Sequence, residues 1–314
     1  MMHASASIGS RPCFTGRSVN TRTCGMATRA SSNSNDAVLT GPTPQRFAVA
    51  EGQLAEIAKT AAVTVLRLGS GALVDGYRIG LEKTVAENEG DYAVAKIGAW
   101  QTVEGTSTLS RFAKPREPLI LYDMQDCGEC KRVREALSIL DLDALVYPCP
   151  VGGPAWSGMA GQGTWSGPAI VDPSSGMTVT GSDIVEYLFV TYGNPNKIPM
   201  MLKSNSISDL TLRLAMSLRK GKGTTFSGAA AATPQKPLVF WAYEASPFCA
   251  VVREVLSELA LPYVLVNCAR GSPKRNALFS KYGHFQAPCL VDDNAGVAMF
   301  ESAAIIDYLK KTYQ

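Results

Sequence analysis

The chain has 314 residues, 46% hydrophobic and 18% charged, with a formal net charge of +3, which is material for ordinary buried cores in two or three domains. The first 35 residues hold Arg11, Arg17, Arg22 and Arg29 and no acid, so the remainder is near neutral and nucleic-acid binding has no electrostatic basis. No run approaches 18 apolar residues, which leaves no candidate for a membrane-spanning helix.

Residues 1–36 are basic, rich in Ser and Thr, and lack the continuous apolar core of a secretory signal. The stretch MATRASS at 26–32 places small residues around a cleavage point near Ala30. Such a composition predicts an organelle transit peptide, its Ser-rich character favouring the chloroplast and hence its stroma; a disordered tail is the alternative. Cys13 and Cys24 would leave with it, and Cys127, Cys130, Cys149, Cys249, Cys268 and Cys289 would remain. In a reducing compartment these are catalytic, redox-active or buried thiols rather than a disulfide framework.

Residues 37–116 are expected to form a small N-terminal α+β region. Leu54, Ile57, Ala61, Val65 and Leu68 recur at helical spacing, and Tyr77, Ile79 and Leu81 alternate with polar or small residues as in a strand. A second strand is expected over 92–100. The region offers no catalytic constellation, and Lys59 and Arg67 are too few cations for a membrane-surface helix.

From Pro118 the chain repeats itself. Residues 118–149 and 237–268 match at a constant offset of 119, including Cys130/Cys249, Arg134/Arg253, Glu135/Glu254, Ser138/Ser257 and Cys149/Cys268. Each copy predicts a strand, a helix and a parallel strand joined by a right-handed crossover. A Pro-led strand (from Pro168 or Pro288), a Gly-centred turn (Gly176 or Gly296) and a last helix follow. The expected fold class is α/β, with four-stranded mixed sheets and flanking helices over 117–193 and 236–314. Residues 194–235 read as a helical linker, where Ile207, Leu210, Leu214 and Leu218 mark one amphipathic helix that packs the copies together.

The copies differ where chemistry is expected: Cys127-x-x-Cys130 stands opposite Ser246-x-x-Cys249. Both positions precede a helix, whose unpaired N–H groups and dipole favour a thiolate. Around Cys127, the acids Asp123, Asp126 and Glu129 oppose Lys131, Arg132 and Arg134, so a modest depression of its pKa is expected. The pair is either nucleophile and resolving thiol, or an idle or metal-binding pair, although a lone C-x-x-C is a weak zinc signal. Ser246 is equally explained as a helix N-cap. Residues 150–167, with six Gly and two Pro, predict a loop where the second copy has a helix.

With SPFCAVVRE at 246–254, Ala287-Pro288 and Glu301-Ser302, the second copy resembles the thioredoxin-fold N-terminal domain of glutathione transferases and glutaredoxins. The first is more divergent, and the tandem resembles plant and algal chloroplast proteins with two such domains. The resemblance implies glutathione as the ligand. It also implies cis prolines at Pro168 and Pro288, exposing the backbone of Gly167 and Ala287 to an extended peptide. Ser302 would take its γ-glutamyl carboxylate and Glu301 its amine, whereas Ser182-Asp183 of the first copy is closer to glutaredoxins. Ser246 would donate a hydrogen bond to a bound glutathione thiolate.

Three functions follow from this. One is a glutathione-binding thiol-disulfide oxidoreductase, with Cys127 acting, the second copy providing a glutathione site, and protein thiols or disulfides as partners. Another is a transferase-like enzyme using Ser246, against which stands the absence of a following all-helical domain. The third is a non-enzymatic redox scaffold that binds glutathione or a protein.

Overall fold

The structure, a computed structural model, describes residues 37–45, 48–85, 88, 90–156, 167–228 and 233–314. The transit-peptide expectation, and most of the glycine-rich stretch between Pro150 and Gly167, fall outside these residues. In chain order the N-terminal part contains β1 (Val38–Leu39), α1 (Leu54–Leu66), β2 (Tyr77–Lys83), β3 (Ala95–Ile97) and β4 (Trp100–Thr106). The strand expected over 92–100 is in fact two, because Gly98 at φ +58° turns the chain back between β3 and β4.

The first copy runs β5 (Leu119–Asp123), α2 (Gly128–Ile139), β6 (Ala144–Pro148), β7 (Ala169–Asp172), β8 (Met177–Thr180) and α3 (Asp183–Tyr192). After α4 (Ser206–Leu218), the second copy runs β9 (Leu238–Ala242), α5 (Pro247–Glu258), β10 (Tyr263–Asn267), α6 (Lys274–Tyr282), β11 (Cys289–Asp292), β12 (Val297–Phe300) and α7 (Ser302–Tyr313). In β5 and β9 alternate residues are fully buried, Leu119 and Leu121 in one and Leu238 and Phe240 in the other, as a half-buried strand requires. Each copy closes the same way. Asp172 accepts hydrogen bonds from the hydroxyls of Tyr187 (2.6 Å) and Tyr192, and Asp292 accepts from Tyr308 (2.6 Å) and Tyr313 (2.5 Å), fastening the last helix to the sheet.

The two four-stranded sheets are not separate. Strand β6 pairs antiparallel with β10, giving one nine-stranded sheet in the order β1-β12-β11-β9-β10-β6-β5-β7-β8. A single apolar core runs beneath both halves, from Ile184 and Leu188 through Leu121, Val146 and Tyr263 to Ile305 and Leu309.

Helices α1 and α4 are themselves related. Leu66-Arg67-Leu-Gly69-Ser-Gly71 follows the first and Leu218-Arg219-Lys-Gly221-Lys-Gly223 the second. Arg67 forms a two-pronged, buried ion pair with Glu135 (2.9 and 2.7 Å), and Arg219 forms the same pair with Glu254 (2.8 and 2.5 Å). Beyond the glycines, Val74 N–H donates to Arg270 O (3.0 Å) and Phe226 N–H to Val151 O (3.0 Å), again at matching positions. The duplication therefore extends to these helices. The small sheet β2-β4-β3 is an insertion between α1 and the first copy.

The face each helix buries differs from the sequence expectation. Ile57, Thr60 and Val63 of α1 and Ser208, Leu212 and Ala215 of α4 point inward, while Leu54, Val65, Leu68, Ile207, Leu210, Leu214 and Leu218 are exposed. Thr60, Ser208 and Ala215 share the inner faces with Ile57, Val63 and Leu212, and the helices lie close against the turns before α5 and α2. Thr60 and Thr64 donate to the carbonyls of Pro247 (3.3 Å) and Ala245 (2.9 Å). No helix among the described residues is long and apolar enough to cross a membrane.

Candidate functional site

Cys127 occupies the N-cap of α2 in extended conformation, and its Sγ accepts the Cys130 N–H at 3.2 Å. A hydrogen bond from the Cys130 thiol is the largest influence on it. With the N–H bond and the Arg134 charge, this outweighs burial and Asp123 and lowers the Cys127 pKa. Cys130 is fully buried, and burial together with its bond to Cys127 pushes its pKa well up. Both thiols are free and Cys127 is half-exposed. Of the cations expected to help, Arg134 does so, although it is itself paired with Asp123 (2.5 Å) and Glu244 (3.1 Å); Lys131 is paired with Glu244 (2.6 Å) and Arg132 with Asp209. Among the described residues no group of three or more His, Cys, Asp or Glu is placed to hold a metal ion.

Ser246 stands at the matching N-cap of α5, its Oγ accepting the Cys249 N–H at 3.3 Å. Cys249 is sealed in the core, and burial pushes its thiol up to about 11. A cavity of about 450 Å³ opens beside Ser246 and gathers Ala287, Pro288, Glu301 and Ser302 around it. The Ala287–Pro288 bond is cis. Gly167–Pro168, expected to be cis, is not among the cis bonds, and its surroundings differ: a Cβ on Gly167 would stand 2.9 Å from a Glu129 carboxylate oxygen. Ser182 and Asp183 line a separate cavity of about 400 Å³ with Glu129, Arg132 and Lys203, while Cys127, Gly167 and Pro168 are not part of its lining.

Both copies match the family described as "Glutathione S-transferase, N-terminal domain", over residues 121–196 and 240–314. The chain carries this transferase domain twice, in tandem. No curated protein and no solved structure gave a significant match.

The two transferase domains face opposite ways. Strands β5 and β6 are parallel, β6 and β10 antiparallel, β10 and β9 parallel, so the carboxyl ends of β5 and β9 lie at opposite ends of the sheet. Leu121, Val146, Tyr263 and Leu238 stand level across it. Asp123 is two residues beyond that level and Ala242 four residues the other way, a separation of about 20 Å along the strands. Within one chain, Cys127 therefore cannot act on a molecule held beside Ser246, which corrects the expectation that the two copies share one reaction.

Each domain borrows a wall from the other half's helix. Leu212 of α4 lies against Gly128, next to Cys127, where a Cβ would stand 2.6 Å from its Cδ2. Thr60 of α1 lies at the equivalent Pro247, next to Ser246. The second-domain cavity has two further walls that the sequence did not reveal. Tyr92 and Val94 reach it from the inserted sheet region and Ala48 from the segment before α1. That segment also engages two predicted ligand groups: Gln45 N–H donates to Glu301 Oε1 (2.7 Å), which Gln286 also reaches (2.7 Å), and Ser302 Oγ donates to Gln53 (3.4 Å). No local motif around residues 45–53 announces this contact; only the closing of β1 onto β12 brings the segment there.

Proposed function

We propose that this protein is a glutathione-dependent thiol-disulfide oxidoreductase of the chloroplast stroma, acting through Cys127. The observation that carries this reading is the asymmetry of its two thiols: a half-exposed Cys127 whose thiolate is favoured, and a buried Cys130 whose thiolate is not. The Cys127 thiolate attacks a mixed disulfide between glutathione and a protein, forming a Cys127–glutathione disulfide and releasing the protein thiol, which takes up a proton. A second glutathione thiolate then attacks that disulfide, restoring Cys127 and leaving oxidised glutathione. In the alternative branch the Cys130 thiol loses its proton and attacks Cys127, releasing glutathione and closing an internal disulfide. The basic N-terminal segment supports chloroplast import, which a fluorescent fusion of residues 1–36 tests.

The test of the chemistry is reduction of a glutathionylated peptide by the full chain. Cys127→Ser is expected to abolish turnover, whereas Cys130→Ser keeps the exchange that uses two glutathiones. Equal rates for the wild type and Cys127→Ser would end the proposal.

A second reading has its own observation, the cavity that gathers Ser246, Pro288, Glu301 and Ser302. Those residues suit a glutathione thiolate hydrogen-bonded by Ser246, as in a transferase-type site. Conjugation of a chlorinated aromatic electrophile that disappears in Ser246→Ala tests it.

A further inference from the structure

We propose that the free edge of β2 is a self-association surface, at which two copies of this chain pair β2 against β2, antiparallel, about a two-fold axis at Gly80. The surface belongs to the inserted sheet, outside both transferase domains, and is independent of the thiol chemistry. In the order β2-β4-β3, strand β2 pairs with β4 on one side and with no strand among the described residues on the other. It has seven residues, against two, three and four in the other edge strands β1, β3 and β8. Natural edges of that length are commonly guarded by proline, a bulge or a central charge. Here the one lysine, Lys83, stands at the end, and the middle carries Ile79 and Leu81, 58% and 65% exposed. The strand is not a loose flap. Glu104 of β4 accepts from the Tyr77 hydroxyl (2.8 Å), Arg270 Nε (2.6 Å) and Arg275 Nη1 (3.2 Å), which ties the inserted sheet to the second domain.

The sequence of β2, Tyr-Arg-Ile-Gly-Leu-Glu-Lys, is complementary to its own reverse. Ser107 N–H donates to Gly76 O (2.9 Å) and Thr84 N–H to Ala99 O (2.8 Å), so the even-numbered residues spend their backbone groups on β4, and Ile79 and Leu81 point theirs at the free edge. With Gly80 on the axis, Ile79 of each copy stands opposite Leu81 of the other, and each such pair exchanges both N–H···O=C bonds. On one face these side chains meet as apolar pairs, and the exposed apolar side of the sheet, which includes Ile97 and Trp100, continues across the join. On the other face Arg78 of each copy stands opposite Glu82 of the other. Neither has an ion-pair partner among the described residues. Moving the axis to Ile79 or Leu81 would set Arg78 against Gly80 or Thr84 instead, so charge fixes the register. Because both copies use the same edge, assembly stops at two. A strand pair of this length buries less than a standard interface of about 1,600 Å², which gives a weak dimer with a Kd on the order of 1–100 μM.

The test is sedimentation velocity of the full chain from about 1 to about 300 μM, which brackets that range. The wild type is expected to pass from monomer to dimer and no further. Arg78→Glu and Glu82→Arg each set like charges face to face in both cross-strand pairs, so each should weaken the dimer at least about tenfold. An equal mixture of the two variants should recover dimer, because in the mixed pair every charge meets its opposite across the axis. The double variant Arg78→Glu/Glu82→Arg should recover it as well. A wild type that stays monomeric throughout, which would leave the edge to a strand of some other protein, overturns the proposal. So do species larger than a dimer, a dimer that neither single variant weakens, and a mixture no better associated than its components. Recovery is read on the same two proteins that fail to pair alone, so loss of folding cannot imitate it.

Discussion

Six cysteines lie among the described residues, and their surroundings divide them sharply. Burial raises Cys249 to about 11 and Cys149 and Cys289 to about 12, and it pushes Cys130 and Cys268 well above the ordinary thiol value, leaving Cys127 as the one that is lowered. Since each pKa unit is a tenfold change in thiolate, iodoacetamide at neutral pH should label Cys127 about a hundredfold faster than any other thiol of the described residues. The rate should climb with pH, with its midpoint below that of an ordinary thiol; mass mapping of the labelled peptides checks it, and prior labelling of Cys249 would refute it. Glu244 is the other decisive residue. Burial raises its pKa, but Arg134, Arg253 and Lys131 outweigh that and hold the carboxyl well below the usual range. A lowered carboxylate pKa stabilises the fold above the unfolded value, about 4, and that contribution is lost as pH falls further. Glu244→Gln leaves three cations facing a neutral amide, so urea unfolding at pH 7 should show a loss of about 3–5 kcal/mol, and the acid sensitivity should shrink with it.

Among the elements, the Leu-Arg-x-Gly-x-Gly ends of α1 and α4 make a sharp demand on the backbone. Gly223 has φ +69°, and a Cβ there would stand 3.1 Å from the Glu254 Cα and 2.7 Å from the Gln125 side chain; Gly71, at φ +81°, would meet the Glu135 Cα at 3.3 Å. Gly223→Ala should therefore cost about 2–4 kcal/mol, combining left-handed strain with displacement of α5. Gly52→Ala, at φ +80° with nothing within 4 Å, should cost only about 1–2 kcal/mol; equal losses in chemical unfolding would show that the close approach is not what matters. These paired helix ends were present in the sequence, but the inserted sheet changes their offset from 119 to 152 and hides them from a constant-offset comparison. The transferase-domain elements were legible because alternation and helical spacing coincide there with burial on one sheet. The helices α1 and α4 were legible as helices only. Of the stripe Leu54, Ile57, Ala61, Val65 and Leu68 only Ile57 is buried, and Ile207, Leu210, Leu214 and Leu218 face outward, because the inner face is set in part by hydrogen bonds and close backbone packing that periodicity does not encode. In the second-domain cavity Ser246, Ala287, Pro288, Glu301 and Ser302 could be chosen from local motifs, whereas Ala48, Tyr92 and Val94 arrive from distant chain and have no such signature.

At the scale of the molecule, the antiparallel β6–β10 junction determines both the chemistry and the stability. It turns the Cys127 and Ser246 sites to opposite ends of one sheet, so each must bind and react with its own molecule. It also fuses the two cores. Tyr263 of β10 is 1% exposed, packs edge-on against Phe240 at 5.6 Å, and stands opposite Val146 across the junction, within the same apolar cluster as Leu121 and Leu137 of the first domain. Around it the buried charges of Asp123, Arg134, Glu244 and Arg253 tie α2 to α5, so neither half can open without stranding ions of the other. Two domains joined in this way should unfold together, in contrast to tandem domains connected only by a linker, which melt separately. Scanning calorimetry of the full chain should accordingly show one transition. Tyr263→Ala, which empties a ring-sized space at the junction, should lower that single transition by about 3–5 kcal/mol without splitting it. Two transitions, only one of them moved by the substitution, would mean that the junction does not couple the halves and that each domain holds its own site independently.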